Sequence, residues 1–119
     1  MSFGGGTLRW HEGDGRRHGA MSECAFSPEA LDDLRQIHDY IAQYNLASAN
    51  RVVERLRGRC YLLADFPYMG MAHPRFGANY RLHAVPGINY IIIYRPIEDG
   101  VEILRIRHSS QSLRRLFQQ

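Results

Sequence analysis

A chain of 119 residues with 45% hydrophobic content has room for one domain with its own core, which excludes an intrinsically disordered protein. Its formal charge of +3 is too small for a histone-like tail, and no apolar run approaches the roughly 20 residues of a membrane span. All 15 basic residues are arginine, which forks onto phosphate or carboxylate but is a poor general base, so no lysine chemistry is open to it.

Residues 1–20 contain a triple glycine and scattered charges without periodicity. They read as a disordered extension ahead of a single domain over residues 21–119. Residues 22–26 read as a short first strand. Ser27-Pro28-Glu29 then starts a helix, with serine as cap, proline in the first turn and an acid beside them. Its apolar stripe is Leu31, Leu34, Ile37, His38, Ile41 and Tyr44, leaving Asp32, Asp33, Arg35, Asp39 and Gln43 on the outer face. Asn45-Leu46-Ala47 breaks that helix and Ser48 is the expected cap of a second, whose stripe runs Val52, Val53, Leu56, Cys60 and Leu63 to a stop at Pro67. So short a connection predicts an antiparallel helical hairpin.

Residues 67–77 hold two prolines and two glycines and read as a loop. Residues 79–84 alternate as a strand, and Pro86-Gly87 turns into the first run of a hairpin, residues 90–94, apolar on both faces as a central strand is. Asp99-Gly100 offers the positive-φ residues of a tight reversal. In the following strand Leu104 and Ile106 alternate with Arg105 and Arg107, one apolar face and one cationic. Ser110 or Ser112 can cap a last short helix carrying Leu113, Leu116 and Phe117. The expected fold is α+β: a helical hairpin packed on a small antiparallel sheet, in the order β-α-α-β-β-β with a short C-terminal helix.

Cys24 and Cys60, without a secretory signal, read as reduced thiols in a cytoplasmic protein, and Cys60 falls on an apolar helix face. There is no phosphate loop, CxxC, HExxH or GxSxG, and the histidines lack ligand spacing, so neither metal nor cofactor is expected. Arg51, Arg55 and Arg59 recur on the second helix, either as a solvated face around Glu54 or as a docking face for an acidic partner. Arg81 shares a face with His83, and Arg105 with Arg107. A two-residue hairpin loop puts Arg105 opposite Tyr94 and Arg107 opposite Ile92; a three-residue loop puts them opposite Ile93 and Ile91. Strict pleating turns His108 toward the core edge, and it becomes a candidate acid or base only if the strand ends before it.

Four stretches together carry a family resemblance: Ser27-Pro28-Glu29-Ala30 with Asp33-Leu34 and Ile37; residues 63–70, LADFPYMG; residues 90–95, YIIIYR; and residues 99–108, DGVEILRIRH. Over about residues 21–116 the chain resembles the ParE branch of the RelE/ParE toxin superfamily. The resemblance implies a type II toxin that binds DNA gyrase without catalysis and is neutralised by a ParD-like antitoxin, touching DNA only through the antitoxin complex. On that footing Arg81, Arg105, Arg107 and His108 are expected to meet the target, and Tyr40, Tyr44, Arg51 and Arg55 the antitoxin. Two alternatives stand beside it. One is a ribosome-dependent mRNA endonuclease of RelE type using Arg81, Arg107 and His108; the other is a non-toxic protein-binding module.

Overall fold

In the computed structural model, which describes residues 8–11 and 22–111, Ser27 caps the first helix as its sequence context asks. Its Oγ accepts from the Ala30 N–H at 3.0 Å and opens α1, Pro28–Ala42. The same hydroxyl donates to the Leu104 carbonyl at 2.9 Å, so the cap also ties α1 to the last strand. Helix α2, Leu46–Asp65, is capped by Asn45 and not by Ser48, whose N–H donates to Asn45 Oδ1 at 2.9 Å. Asparagine and serine cap about equally well, and the one with extended backbone takes the role.

Six strands form one sheet, in the spatial order β1-β2-β6-β5-β4-β3. They are β1 Leu8–His11, β2 Glu23–Phe26, β3 Met71–Ala72, β4 Arg81–Ala84, β5 Tyr90–Ile97 and β6 Gly100–His108. The helical hairpin covers one face, giving the expected α+β architecture. One pair departs from the antiparallel expectation: β2 runs parallel to β6. A parallel neighbour needs a long connection, and α1 with α2 supplies it.

Residues 1–20 were expected to stay outside the fold, and Leu8–His11 does not: it pairs antiparallel with β2. Without it β2 would present a row of unpaired backbone groups, and Leu-Arg-Trp-His has a strand's alternation. The remainder of that segment, and the terminal helix expected at Leu113, Leu116 and Phe117, lie outside the described residues. The loop expected at residues 67–77 contains β3 and a 3-10 turn, Pro74–Phe76.

The core lies between helices and sheet. Leu34, Leu56, Cys60 and Leu63 pack there against Cys24, Phe26, Ile92, Tyr94, Val101, Ile103 and Ile106. Each large side chain fully buried in it contributes about 1.5–3 kcal/mol. Burial also pushes the Cys60 thiol well up, as an inert core cysteine requires.

The β5–β6 hairpin differs from its sequence reading in two ways. Ile97 pairs with Gly100, so the loop is Glu98-Asp99 and Gly100 already belongs to the strand. Glycine is needed there because β2 crosses closely: a Cβ would stand 1.9 Å from the Glu23 carbonyl oxygen, while the Glu23 N–H donates to Asp99 O at 2.7 Å. Farther along, Ile93 pairs with Arg105 and Tyr94 with Ile103, leaving Leu104 as an extra residue in a bulge. The arginines therefore have the partners of the three-residue-loop register, reached through a bulge after a two-residue loop. The strict alternation expected from Leu104 to Arg107 breaks, and Ile103 joins Ile106 in the core.

Candidate functional site

Beyond Ile103 strand β6 has no β2 beside it, and α1 runs along its open edge. Asp33 closes that edge with one carboxylate. Its Oδ2 accepts from the Ile106 N–H at 2.9 Å and from Arg105 Nε at 2.8 Å, and its Oδ1 accepts from Arg105 Nη2 at 3.0 Å. The hydrogen bond to Asp33 holds the Arg105 guanidinium above its usual range. Arg105, expected at the target surface, is thus half-buried and ion-paired to α1.

Next along the edge is a cavity of ≈ 420 Å³ between α1 and the end of β6. Ile37 and Ile106 give it an apolar floor; Gln36, Tyr40, Tyr90 and His108 give it polar walls. His108 is paired with Tyr90 in register, and the rings meet edge to face at 5.2 Å. The Ser110 N–H donates to His108 Nδ1 at 3.1 Å, so a neutral ring carries its proton on Nε2. Burial, and then the nearby Tyr40, raise the Tyr90 phenol above its ordinary value. Tyr40 and Tyr44 continue outward from this cavity, their rings 5.8 Å apart, with Leu46 at the hairpin tip. All three are more than half exposed.

The cations expected to act together do not converge. Arg81 stands opposite Tyr94, whereas Arg107 stands opposite Ile91. Three positions along β5 and the width of two strand spacings across it put their backbones roughly 14 Å apart, on positions of opposite facing. Arg81 Nη1 donates to the Gly70 carbonyl at 2.6 Å, and its guanidinium lies 4.8 Å from the centre of the Tyr68 ring. Arg107 lines the cavity, but its Nε is buried without a hydrogen-bond partner.

The residues expected at the antitoxin surface lie on two sides of the hairpin. Arg55 donates twice to the Pro86 carbonyl, at 2.7 and 3.0 Å, fixing the β4–β5 turn on α2, and Arg51 donates to Ser48 Oγ at 3.1 Å. Both line a separate cavity of ≈ 520 Å³ with Val52 and Ile88, whereas Tyr40 belongs with His108. Sequence reasoning missed Asp33 and Tyr90. Asp33 was expected on the outer face of the helix and is instead buried against β6; it follows Ala30 by three and precedes Ile37 by four, on the flank of the stripe. Tyr90 carried no signal distinguishing it from the apolar run it begins. Among the described residues no three His, Cys, Asp or Glu could hold a metal, and no helix is long and apolar enough to cross a membrane.

Comparison with known proteins agrees with this architecture. A family model described as the ParE toxin of the type II toxin–antitoxin system parDE matches residues 25–113. A protein of Caulobacter vibrioides named Toxin RelE2 is 32% identical over 91 residues, covering 76% of this chain and 99% of that protein. Among solved structures, a chain of the chromosomal ParDE TA system from P. aeruginosa is similar, with a TM-score of 0.59 at 20% identity. The match covers 70% of this chain and 90% of that one, a likeness of fold.

Proposed function

The chain belongs to the ParE toxin family of type II toxin–antitoxin systems, and from that premise we propose that it arrests growth in the cytoplasm by binding DNA gyrase. A ParD-like antitoxin neutralises it by folding over the helical hairpin. The observation that carries a binding mechanism over a cutting one is the dispersal of the basic side chains. Cleaving a phosphodiester needs a proton acceptor, a proton donor and charge stabilisation within reach of one another. Arg81 is engaged by loop carbonyls, Arg105 by Asp33, and Arg107 starts from a strand position roughly 14 Å from Arg81 and of opposite facing. What the surface offers instead is docking area: Tyr40, Tyr44 and Leu46, leading into the cavity floored by Ile37 and Ile106. An antitoxin helix laid there buries apolar surface and covers Arg107 and His108 in the same step.

A second reading, an mRNA endonuclease, is favoured by two observations: Tyr40, Tyr90, His108 and a single arginine, Arg107, line one cavity, and a similar protein carries the name RelE2. The two are separated by induction without an antitoxin, assaying supercoiling by purified gyrase and mRNA ends by primer extension. His108→Gln keeps a polar, hydrogen-bonding side chain that cannot serve as an acid or base. Under the binding mechanism growth arrest and supercoiling inhibition persist in the folded variant. Under the nuclease reading cleavage falls by about 10²–10⁴ and arrest goes with it.

A further inference from the structure

Directly after α2, four large apolar side chains within six residues stay in solvent. Phe66, Tyr68, Met69 and Met71 are 58%, 71%, 42% and 72% exposed. The backbone beneath them is fixed at several points. The phenol of the fully buried Tyr94 donates to the Pro67 carbonyl at 2.8 Å and accepts from the Gly70 N–H at 2.8 Å. Arg81 holds the Gly70 carbonyl from β4, and the Met69 N–H donates to Phe66 O at 3.0 Å. Gly70 admits no Cβ, which would lie 2.6 Å from the Tyr94 hydroxyl and 2.7 Å from Leu82 O. A buried tyrosine, an arginine and a glycine thus hold a ridge whose apolar side chains point away from the protein.

Charge narrows what can meet it. Residues 66–97 contain no Asp or Glu and three arginines, Arg75, Arg81 and Arg95. Arg95 is paired with Glu102, but Arg75 is exposed and bonded to nothing among the described residues. Shape narrows it further. A chain that folds on binding needs grooves, and those flank the helices elsewhere; a fixed convex ridge suits a recess already formed in a folded partner, since its ordering cost is met in advance. The ridge also stands at the end of α2 remote from Tyr44 and Leu46, and a helix of 20 residues spans about 30 Å.

We propose that the ridge of Phe66, Tyr68, Met69 and Met71, flanked by Arg75 and Arg81, is the anchor by which this protein docks on its target, in an apolar recess of a folded protein rimmed by acidic residues. The proposal rests on the reading that the toxin acts by binding a protein. A cleft of ≈ 280 Å³ beside the ridge, lined by Tyr68, Pro74, Tyr80, Arg81 and Pro96, receives the rim of that recess. Apolar anchors seated in pockets carry most of an interface's affinity, and flanking charges set its rate and salt dependence.

The test uses the full chain carrying Tyr68→Ser with Met71→Ser, and separately Arg75→Glu, each with its melting temperature measured. Growth arrest on induction and inhibition of supercoiling by purified gyrase are the two readouts. The double variant, folded as wild type, should need at least tenfold more protein to inhibit gyrase and should fail to arrest growth. Arg75→Glu should weaken inhibition more at low salt than at high salt. Arg35→Ala, on the exposed face of α1 and outside every surface named above, should inhibit as wild type does. A double variant that inhibits and arrests like wild type overturns the ridge while gyrase poisoning stands. Wild-type protein that leaves gyrase untouched, with arrest still abolished by the double variant, overturns gyrase as the target while the ridge stands.

Discussion

Asp33 combines two tasks in one side chain: it ends the backbone ladder of β6 and neutralises Arg105. Replacing it by Ala leaves the buried Ile106 N–H without an acceptor and Arg105 without its counter-charge. The expected loss is roughly 1–3 kcal/mol, read as a lower urea midpoint with an unchanged m-value. His83 is a different case. Its ring is partly buried, Nε2 has no hydrogen-bond partner, and burial, with Arg59 adding to it, holds its pKa below the ordinary 6.5. The folded state therefore binds fewer protons here than the unfolded chain below about pH 6.5. Stability from this group is complete above that value and is lost as pH falls from it through the lower folded pKa. Melting temperatures between pH 7.5 and 5 should fall less steeply for His83→Gln than for wild type; equal slopes would assign the acid sensitivity to other groups. Asp33 stands on the flank of the stripe and was expected on the outer face, and nothing in sequence told a surface arginine from one held by α1.

Elements with one clear periodicity were legible from their residues: both helices, the apolar centre of β5, and the caps to within three positions. What escaped were the features set by a second element. Gly100 reads as a turn residue, yet its role comes from Glu23, 77 positions earlier, and the bulge at Leu104 follows from joining a two-residue loop to that register. The exposed ridge after α2 reads as an ordinary loop because the phenol and guanidinium fixing it come from β5 and β4. The two glycines Gly100 and Gly58 test this distinction. Gly100→Ala forces a Cβ onto the Glu23 carbonyl and should cost about 1–3 kcal/mol or more by prising β2 from β6. Gly58 lies within α2 with nothing within 4 Å of an added Cβ, so Gly58→Ala should stabilise by roughly 0.5–1 kcal/mol. Thermal melts of the two variants that moved in the same direction would refute the argument.

At the scale of the molecule, the helical hairpin separates two kinds of surface. Around its tip and flanks are two cavities and the exposed Tyr40, Tyr44 and Leu46; at its other end is the fixed ridge. An antitoxin that folds as it binds can reach both cavities by wrapping the tip, gaining contacts with Tyr40 on one side and Arg51 on the other. Such binding buries a large apolar area and carries a negative heat-capacity change. Arg51 is the cation to reverse, because Arg55 is committed to the Pro86 carbonyl and its loss would disturb the β4–β5 turn as well. Arg51→Glu should lower affinity for the ParD-like antitoxin and flatten its salt dependence, leaving the heat-capacity change nearly intact. Tyr40→Ser with Tyr44→Ser should do the reverse, shrinking the heat-capacity change while keeping the salt slope. Calorimetric titration at two salt concentrations and three temperatures reads both quantities. If neither variant changes either, the antitoxin binds away from the hairpin tip, and covering Arg107 and His108 cannot be how it neutralises the toxin.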